Sequence, residues 1–279
     1  MSHIKIILDK HKIHAKKHLG QNFLTDQTAL DLIVKSANLT KEDTVLEIGA
    51  GIGNLSAVIA EQSGILYAVE KDRRVEQILK KALKPYPHAE IILGDILKID
   101  IKKIFQDKKI KVIGNLPYYI TTPIINYLLD HKEYINSICI TVQKEVAQRI
   151  AAIPGKKDFG RLSCLLQFYT KPEVIAVFPK AMFFPQPEVD SALIKLSILE
   201  KPSINVKSEK MFFNVVRAIF AQRRKTLLNS LSNAGWNLKK DDFLAILEQL
   251  NISPSIRGES LSLAQIGQLA DVLDNQLAK

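Results

Sequence analysis

The stretch Thr44-Val45-Leu46-Glu47-Ile48-Gly49-Ala50-Gly51-Ile52-Gly53-Asn54 decides the fold. Residues 44–48 form a short apolar run of strand length, closed by glycines that allow a tight turn and let a ligand approach the backbone closely. A helix is expected from about Gly53. A dinucleotide fingerprint would need a third glycine three residues after the second, where Asn54 stands, and a phosphate loop would end in Gly-Lys-Ser/Thr. Both fail, and a G-x-G-x-G turn between strand and helix remains.

Outward from this loop the apolar periodicity alternates. Residues 65–69 read as a second strand ending on Glu70, followed by a charged amphipathic helix to about Leu83 and by a strand at 90–93 ahead of Gly94 and Asp95. Strands at 111–113 and 135–142 and helices at 123–130 and 145–152 continue the beat, and three more strand-like runs lie between Leu162 and Ile198, one of them at 162–168. Upstream, Leu30, Ile33, Val34 and Ala37 follow helical spacing. The alternation predicts the α/β class, a parallel sheet with helices on both faces. Composition changes at Glu200-Lys201-Pro202-Ser203, and beyond it only helical periodicity is visible, at 211–231, 242–250 and 263–273. Two domains are therefore expected, 1–200 and a small all-α domain at 201–279.

The 279 residues carry 39 Lys and Arg against 29 Asp and Glu, a net charge of +10, with 47% hydrophobic content. That is enough apolar side chain for a core, which excludes a disordered polycation. The first twenty residues hold four of the six histidines and five lysines, read as a solvated, mobile basic arm rather than a metal site. No run approaches the roughly 18 apolar residues of a membrane span. The apolar stretch 4–8 leads into Lys10, Lys12, Lys16 and Lys17 instead of a cleavage site, so a cytoplasmic protein without membrane contact is expected. Cys139 and Cys164 sit in apolar strand-like runs, which fits buried reduced thiols, and no metal-ligand spacing occurs.

Glu70 lies 19 residues past Gly51, at a strand end where a carboxylate can accept both hydrogens of a ribose diol. With no phosphate motif beside it, the pair suits a nucleoside lacking a pyrophosphate. S-adenosylmethionine is such a ligand, its sulfonium favoured by nearby carboxylates, with Asp95 placed to accept from the adenine amino group. Taken singly, each acid also reads as a solvated strand end or a helix cap.

After the fourth strand comes Asn115-Leu116-Pro117-Tyr118-Tyr119. The exocyclic nitrogen of adenine is a poor nucleophile, because its lone pair is delocalised into the ring. A site that methylates it must aim the lone pair at the methyl group by giving its two hydrogens acceptors. The Asn115 amide oxygen and the Leu116 carbonyl supply such a pair, Pro117 stiffens the turn, and Tyr118 offers a face for an extruded base. The bland alternative is an ordinary Pro-Tyr turn.

Together these segments resemble the ribosomal RNA adenine N6,N6-dimethyltransferases of the KsgA type. The resemblance runs through 19–24 (Leu-Gly-Gln-Asn-Phe-Leu), 47–56, 69–72, 94–95, 115–120, 154–163, 183–191 and 220–227. It implies a Rossmann-like class I S-adenosylmethionine-dependent methyltransferase sheet. It further implies that Asn22, Leu24, Gly49, Glu70, Asp95 and Asn115 contact the cofactor, with Gly51 in the same loop, and that Tyr118 and Phe183 hold the target base. The implied reaction places methyl groups on two adjacent adenines near the 3′ end of small-subunit ribosomal RNA, within an immature subunit, by a monomeric enzyme. Glu188 and Leu228 depart from the family pattern, where basic residues are expected.

Arg223, Arg224 and Lys225 are expected in a helix whose Phe212, Val216, Ile219 and Leu227 face inward, with Arg217 about two turns away on the same side as Arg224. With Lys156, Lys157 and Arg161 and the basic arm they suggest a surface that tracks RNA phosphates, the alternative being a solvated basic face. Rival functions are a large-subunit RNA methyltransferase of the erythromycin-resistance type and a non-catalytic assembly factor. The helical tail and the Arg-Arg-Lys-Thr-Leu run disfavour the first, the intact 115–118 motif the second. A nicotinamide dehydrogenase is disfavoured by Asn54.

Overall fold

The computed structural model describes residues 3–11, 13, 22–106 and 108–277. The chain divides into two compact units, 1–147 with 172–198, and 148–171 with 199–279. The division differs from a cut at 200, because the segment 148–171 belongs with the C-terminal helices.

The first unit begins with helix α1 (His3–Lys10). This corrects the expectation of a solvated arm: Ile4 and Leu8 are buried and, with Ile13, join a cluster with Ile52, Val75 and Ile78. Ile4, Ile7 and Leu8 make an apolar stripe at helical spacing that the surrounding charges conceal. Lys12, His14, Lys16, Lys17 and His18 of the arm, and Leu19, Gly20 and Gln21 of the family motif, lie outside the described residues. Strand β1 (Phe23–Leu24) leads into α2 (Gln27–Ala37), capped by Asp26, whose carboxylate accepts from the Ala29 amide at 2.9 Å. Then come β2 (Thr44–Ile48), α3 (Asn54–Gln62), β3 (Ile65–Glu70), α4 (Glu76–Leu83), β4 (Ala89–Leu93), α5 (Ile101–Phe105), β5 (Ile110–Asn115), α6 (Thr121–Asp130), β6 (Ile135–Gln143) and α7 (Lys144–Ile150). Past α8 (Arg161–Tyr169), strands β7 (Thr170–Phe178), β8 (Phe183–Phe184) and β9 (Ser191–Ile198) follow.

Seven strands form one sheet in the order β4-β3-β2-β5-β6-β9-β7. Strand β2 is parallel to β3 and β5, and all five of its residues are buried, the continuous run expected of an interior parallel strand. The sheet is mixed rather than all parallel, since β9 runs antiparallel to β6 from Ser137↔Ser197 to Gln143↔Ser191. A parallel sheet with an antiparallel edge region is common in folds of this class. The side chains of Ile33 and Val34 on α2 and Ile59 and Ala60 on α3 share a core with Val45, Leu66 and Ala68 of the strands. A separate two-stranded ladder pairs β1 with β8, Leu24 opposite Phe183.

In the second unit the 162–168 run is helix α8 and not a strand. Short apolar runs leave helix and strand open, and here the Ser163 hydroxyl, accepting from the Gly160 amide at 3.0 Å, starts a helix that buries Cys164 and Phe168 one turn apart. The remaining helices are α9 (Glu209–Ile219), α10 (Leu227–Ser232), α11 (Lys240–Gln249) and α12 (Leu263–Leu277). Phe168 stacks on Phe212 with centroids 4.6 Å apart, in a core shared with Phe159, Phe243 and Leu269. The helical run expected over 211–231 is broken at 220–226, so Arg223, Arg224 and Lys225 stand in a turn. Thr226 starts α10 by accepting from the Asn229 amide, and the Leu227 amide donates to the Ile256 carbonyl at 2.6 Å. Both cysteines are buried and free, and burial pushes each thiol up to about 12.

Candidate active site

The glycine loop is shaped by positive backbone angles and by close neighbours. Gly51 has φ +57°, and a Cβ there would come within 2.9 Å of the Phe23 ring; Gly53 has φ +90°, and its Cβ would come within 2.6 Å of Ala82. The Gly49 and Ala50 amides donate to the Val69 carbonyl at 2.9 and 3.1 Å. The loop thereby folds over the end of β3, and the Gly51 amide meets Glu70 Oε2 at 2.7 Å.

Glu70 is 8% exposed, with Oε1 accepting from the Asp72 amide at 2.7 Å. Burial pushes its carboxyl above the ordinary range, and the Asp72 and Gly51 amides oppose that shift. Asp95, after β4, accepts from the Leu97 amide at 3.1 Å and from Lys71 Nζ at 2.8 Å. The Lys71 hydrogen bond holds Asp95 below the usual carboxylate range, against a smaller effect of burial. Asp95 is thus both the helix cap and the strand-end acid that its sequence position allows.

Asn115 ends β5, and its amide nitrogen donates to the Asn22 carbonyl at 2.7 Å. That bond leaves the amide oxygen as the acceptor. The Leu116 amide donates to the Thr141 carbonyl at 3.2 Å, and Pro117 opens a single turn of 3-10 helix over 118–120. Asn22, Gly49, Gly51, Glu70, Asp95 and Asn115 line one open cavity of about 730 Å³, open mouth included, with Pro117 and Tyr119 also in its wall. Leu24 lines an adjoining cavity, which shares Phe23, Gly49 and Asn115 with the first.

Tyr118 and Phe183 stand outside both cavity walls. The Tyr118 hydroxyl is 2.5 Å from Ser191 Oγ, and Phe183 is 4% exposed in the core of the first unit. Glu47 was missed as a site residue. It lines the adjoining cavity, is 1% exposed, and its Oε2 has no hydrogen-bond partner among the described residues. Burial pushes its carboxyl up to about 8, the Glu70 charge adds to this, and the Ser56 hydroxyl opposes it. The signal was present as a carboxylate inside an otherwise apolar strand, where burial without a partner is costly.

Residues 12–273, nearly the whole chain, match the family model described as ribosomal RNA adenine dimethylase. The chain belongs to the ribosomal RNA adenine dimethylase family.

Its relatives within the dimethylase family include the ribosomal RNA small subunit methyltransferase A of Alkaliphilus oremlandii, 44% identical over 98% of this chain and 96% of that protein. The protein of the same name from Clostridioides difficile is 41% identical, with the same coverage of both chains. Among solved structures, a dimethyladenosine transferase from Plasmodium falciparum superposes with a TM-score of 0.77 at 26% identity, covering 92% of this chain and 98% of that one. The 23S rRNA methyltransferase ErmE gives a TM-score of 0.72 at 23% identity, over 91% and 100% of the two chains, a likeness of fold. The chain is thus a methyltransferase with the Rossmann-like class I fold.

The basic residues of this dimethylase-family chain that the sequence marks for RNA, Lys156, Lys157, Arg161, Arg223, Arg224 and Lys225, lie in its second unit. Lys156, Lys157, Arg161, Arg224 and Lys225 are exposed. Arg223 is partly tethered, donating to the Lys157 and Phe159 carbonyls at 2.5 and 3.2 Å. Arg161 and Arg223 share a cavity with Arg149, Asp158 and Phe220, and Arg149 carried no signal in the sequence beyond its charge.

Proposed function

We propose that this chain transfers methyl groups from S-adenosylmethionine to the N6 amino groups of two adjacent adenines near the 3′ end of small-subunit ribosomal RNA, acting in the cytoplasm as a monomer on an immature subunit. The observation that carries this is the orientation of Asn115 in the cavity that also holds Glu70 and Asp95. The donor set fits the cofactor. Glu70, fixed by two backbone amides, retains lone pairs for a ribose diol, and Asp95 offers an acceptor to the adenine amine. The adjoining cavity, with Asn54 and the buried Glu47 in its wall, suits the charged amino-acid end. When bound, S-adenosylmethionine supplies an electrophilic methyl group on a sulfonium sulfur.

The chain's own part is alignment. Asn115 Oδ1 accepts one hydrogen of the target amine and the Leu116 carbonyl the other, which turns the nitrogen lone pair toward the methyl group. Neither acceptor titrates near neutrality, so the proton leaves after methyl transfer rather than before it. Tyr118, its hydroxyl held by Ser191, offers its ring to the base, and Phe183, buried in the core, acts on the base only as packing behind the site. Lys156, Lys157, Arg161, Arg223, Arg224 and Lys225 meet RNA phosphates.

Labelled S-adenosylmethionine supplied with unmethylated small and large ribosomal subunits in parallel tests this. Label on two adjacent adenines of the small-subunit RNA alone is expected. Label on the large subunit, or none on either, would overturn it.

A further inference from the structure

Tyr119 has no part in the reaction as described, yet it stands in the wall of the first cavity. Its neighbours in sequence are both anchored: the Tyr118 hydroxyl on Ser191, and Ile120 buried with its amide donating to the Pro117 carbonyl at 3.2 Å. The backbone at 119 is therefore held on both sides. The ring itself remains 54% exposed and makes no hydrogen bond or ring contact among the described residues. An aromatic ring presented to a cavity on a rigid turn offers apolar area to a ligand at little ordering cost.

The position of the ring selects the ligand part. Tyr119 and Lys71 stand in the same cavity wall, and Lys71 holds Asp95 at 2.8 Å. Tyr119, on the turn after β5, lines the same cavity as Lys71 and Asp95, which follow β3 and β4. Asn115, four positions before Tyr119, lines the same cavity, while Glu47 lines the adjoining one. We propose that Tyr119 is a further cofactor-binding residue whose ring lies against the adenosine of bound S-adenosylmethionine and closes that end of the cavity. The inference deepens the proposed function and rests on it.

Calorimetric titration of the full chain with S-adenosylmethionine and, separately, S-adenosylhomocysteine tests the assignment. Tyr119→Ala should weaken both by about tenfold, the scale of one purine–aromatic stacking contact, and Tyr119→Phe should stay within about twofold of wild type. Because the ring is 54% exposed and makes no ring contact among the described residues, the melting temperature of the ligand-free Ala variant should match wild type, which separates lost binding from lost folding. Loss confined to S-adenosylmethionine would place the ring at the sulfonium and overturn the proposal. Unchanged cofactor affinity with a raised KM for RNA would overturn it as well, assigning the ring to the target base. Wild-type protein that binds neither molecule would overturn the cofactor function and this inference together. Wild-type binding with an unaffected Ala variant overturns this inference alone.

Discussion

The turn at 115–120, to which the proposed function gives the acceptors, and the basic turn at 220–226, to which it gives phosphate contacts, are both short, irregular stretches, and they are built in opposite ways. In the first, Asn115 is tied to Asn22, the Leu116 amide to Thr141 and the Tyr118 hydroxyl to Ser191. In the second, Arg223, Arg224 and Lys225 are all exposed, and among the described residues only the Arg223 side chain is tethered, to the backbone of 157–159. Alignment of a weak nucleophile is lost with small displacements, so its groups must be ordered before substrate arrives. Attraction to phosphate acts over a Debye length and tolerates mobile charges.

The sharpest way to break this comparison is Asn115→Ala. Removing one preorganised acceptor should lower single-turnover methylation roughly 100- to 1000-fold while RNA affinity stays near normal. A wild-type rate would show that the acceptor turn is not the site. Asn115→Asp keeps an acceptor and should retain part of the activity.

Next in size, Glu70→Ala should weaken S-adenosylmethionine by about 1.5–3 kcal/mol in calorimetry, through the loss of charge-assisted hydrogen bonds to the ribose. Unchanged affinity in a folded variant would remove Glu70 from the cofactor site.

In the basic turn, replacing Arg223 and Arg224 together by Ala should weaken RNA binding and reduce the slope of log affinity against log salt by about one for each phosphate no longer neutralised. Arg224→Ala alone sharpens the test, since Arg223 also supports the 157–159 backbone. A full salt slope in both variants would show a merely solvated face.

The smallest effect concerns Glu47. Its carboxyl is raised from 4.5 to about 8 in the folded chain, so the folded state binds the proton more tightly than the unfolded one. Stability from this group is present below about 4.5 and declines as pH rises toward about 8. Glu47→Gln should flatten that decline and raise the melting temperature of the ligand-free protein at pH 7.5 by a few degrees. An unchanged pH profile would mean that Glu47 is charged and compensated.

Much of the first unit was legible because its signals are local. A glycine turn after an apolar run and acids at successive strand ends follow from spacing alone, and Gly49, Gly51, Glu70, Asp95 and Asn115 do line one cavity. Other features were hidden by cancellation or ambiguity. The lysines around Ile4 and Leu8 masked a helix, and an apolar run at 162–168 satisfied strand and helix alike. Buried positions at 212, 216, 219 and 227 suit one continuous helix as well as two helices joined by a turn, so the break at 220–226 left no mark on the periodicity.

By itself the amino-acid sequence determined the α/β class, the glycine turn between strand and helix and the family, because these rest on residue types at short fixed spacings. Only the tertiary structure decided that β9 is antiparallel, that segment 148–171 joins the C-terminal helices, and which way the Asn115 amide faces. It also placed Tyr119 rather than Tyr118 in the cavity wall and left Glu47 buried without a partner for Oε2 among the described residues. The physical reason is common to all of them. Strand direction, amide orientation and desolvation depend on atoms far apart in the chain, and the Asn22–Asn115 hydrogen bond spans 93 positions that no local pattern connects.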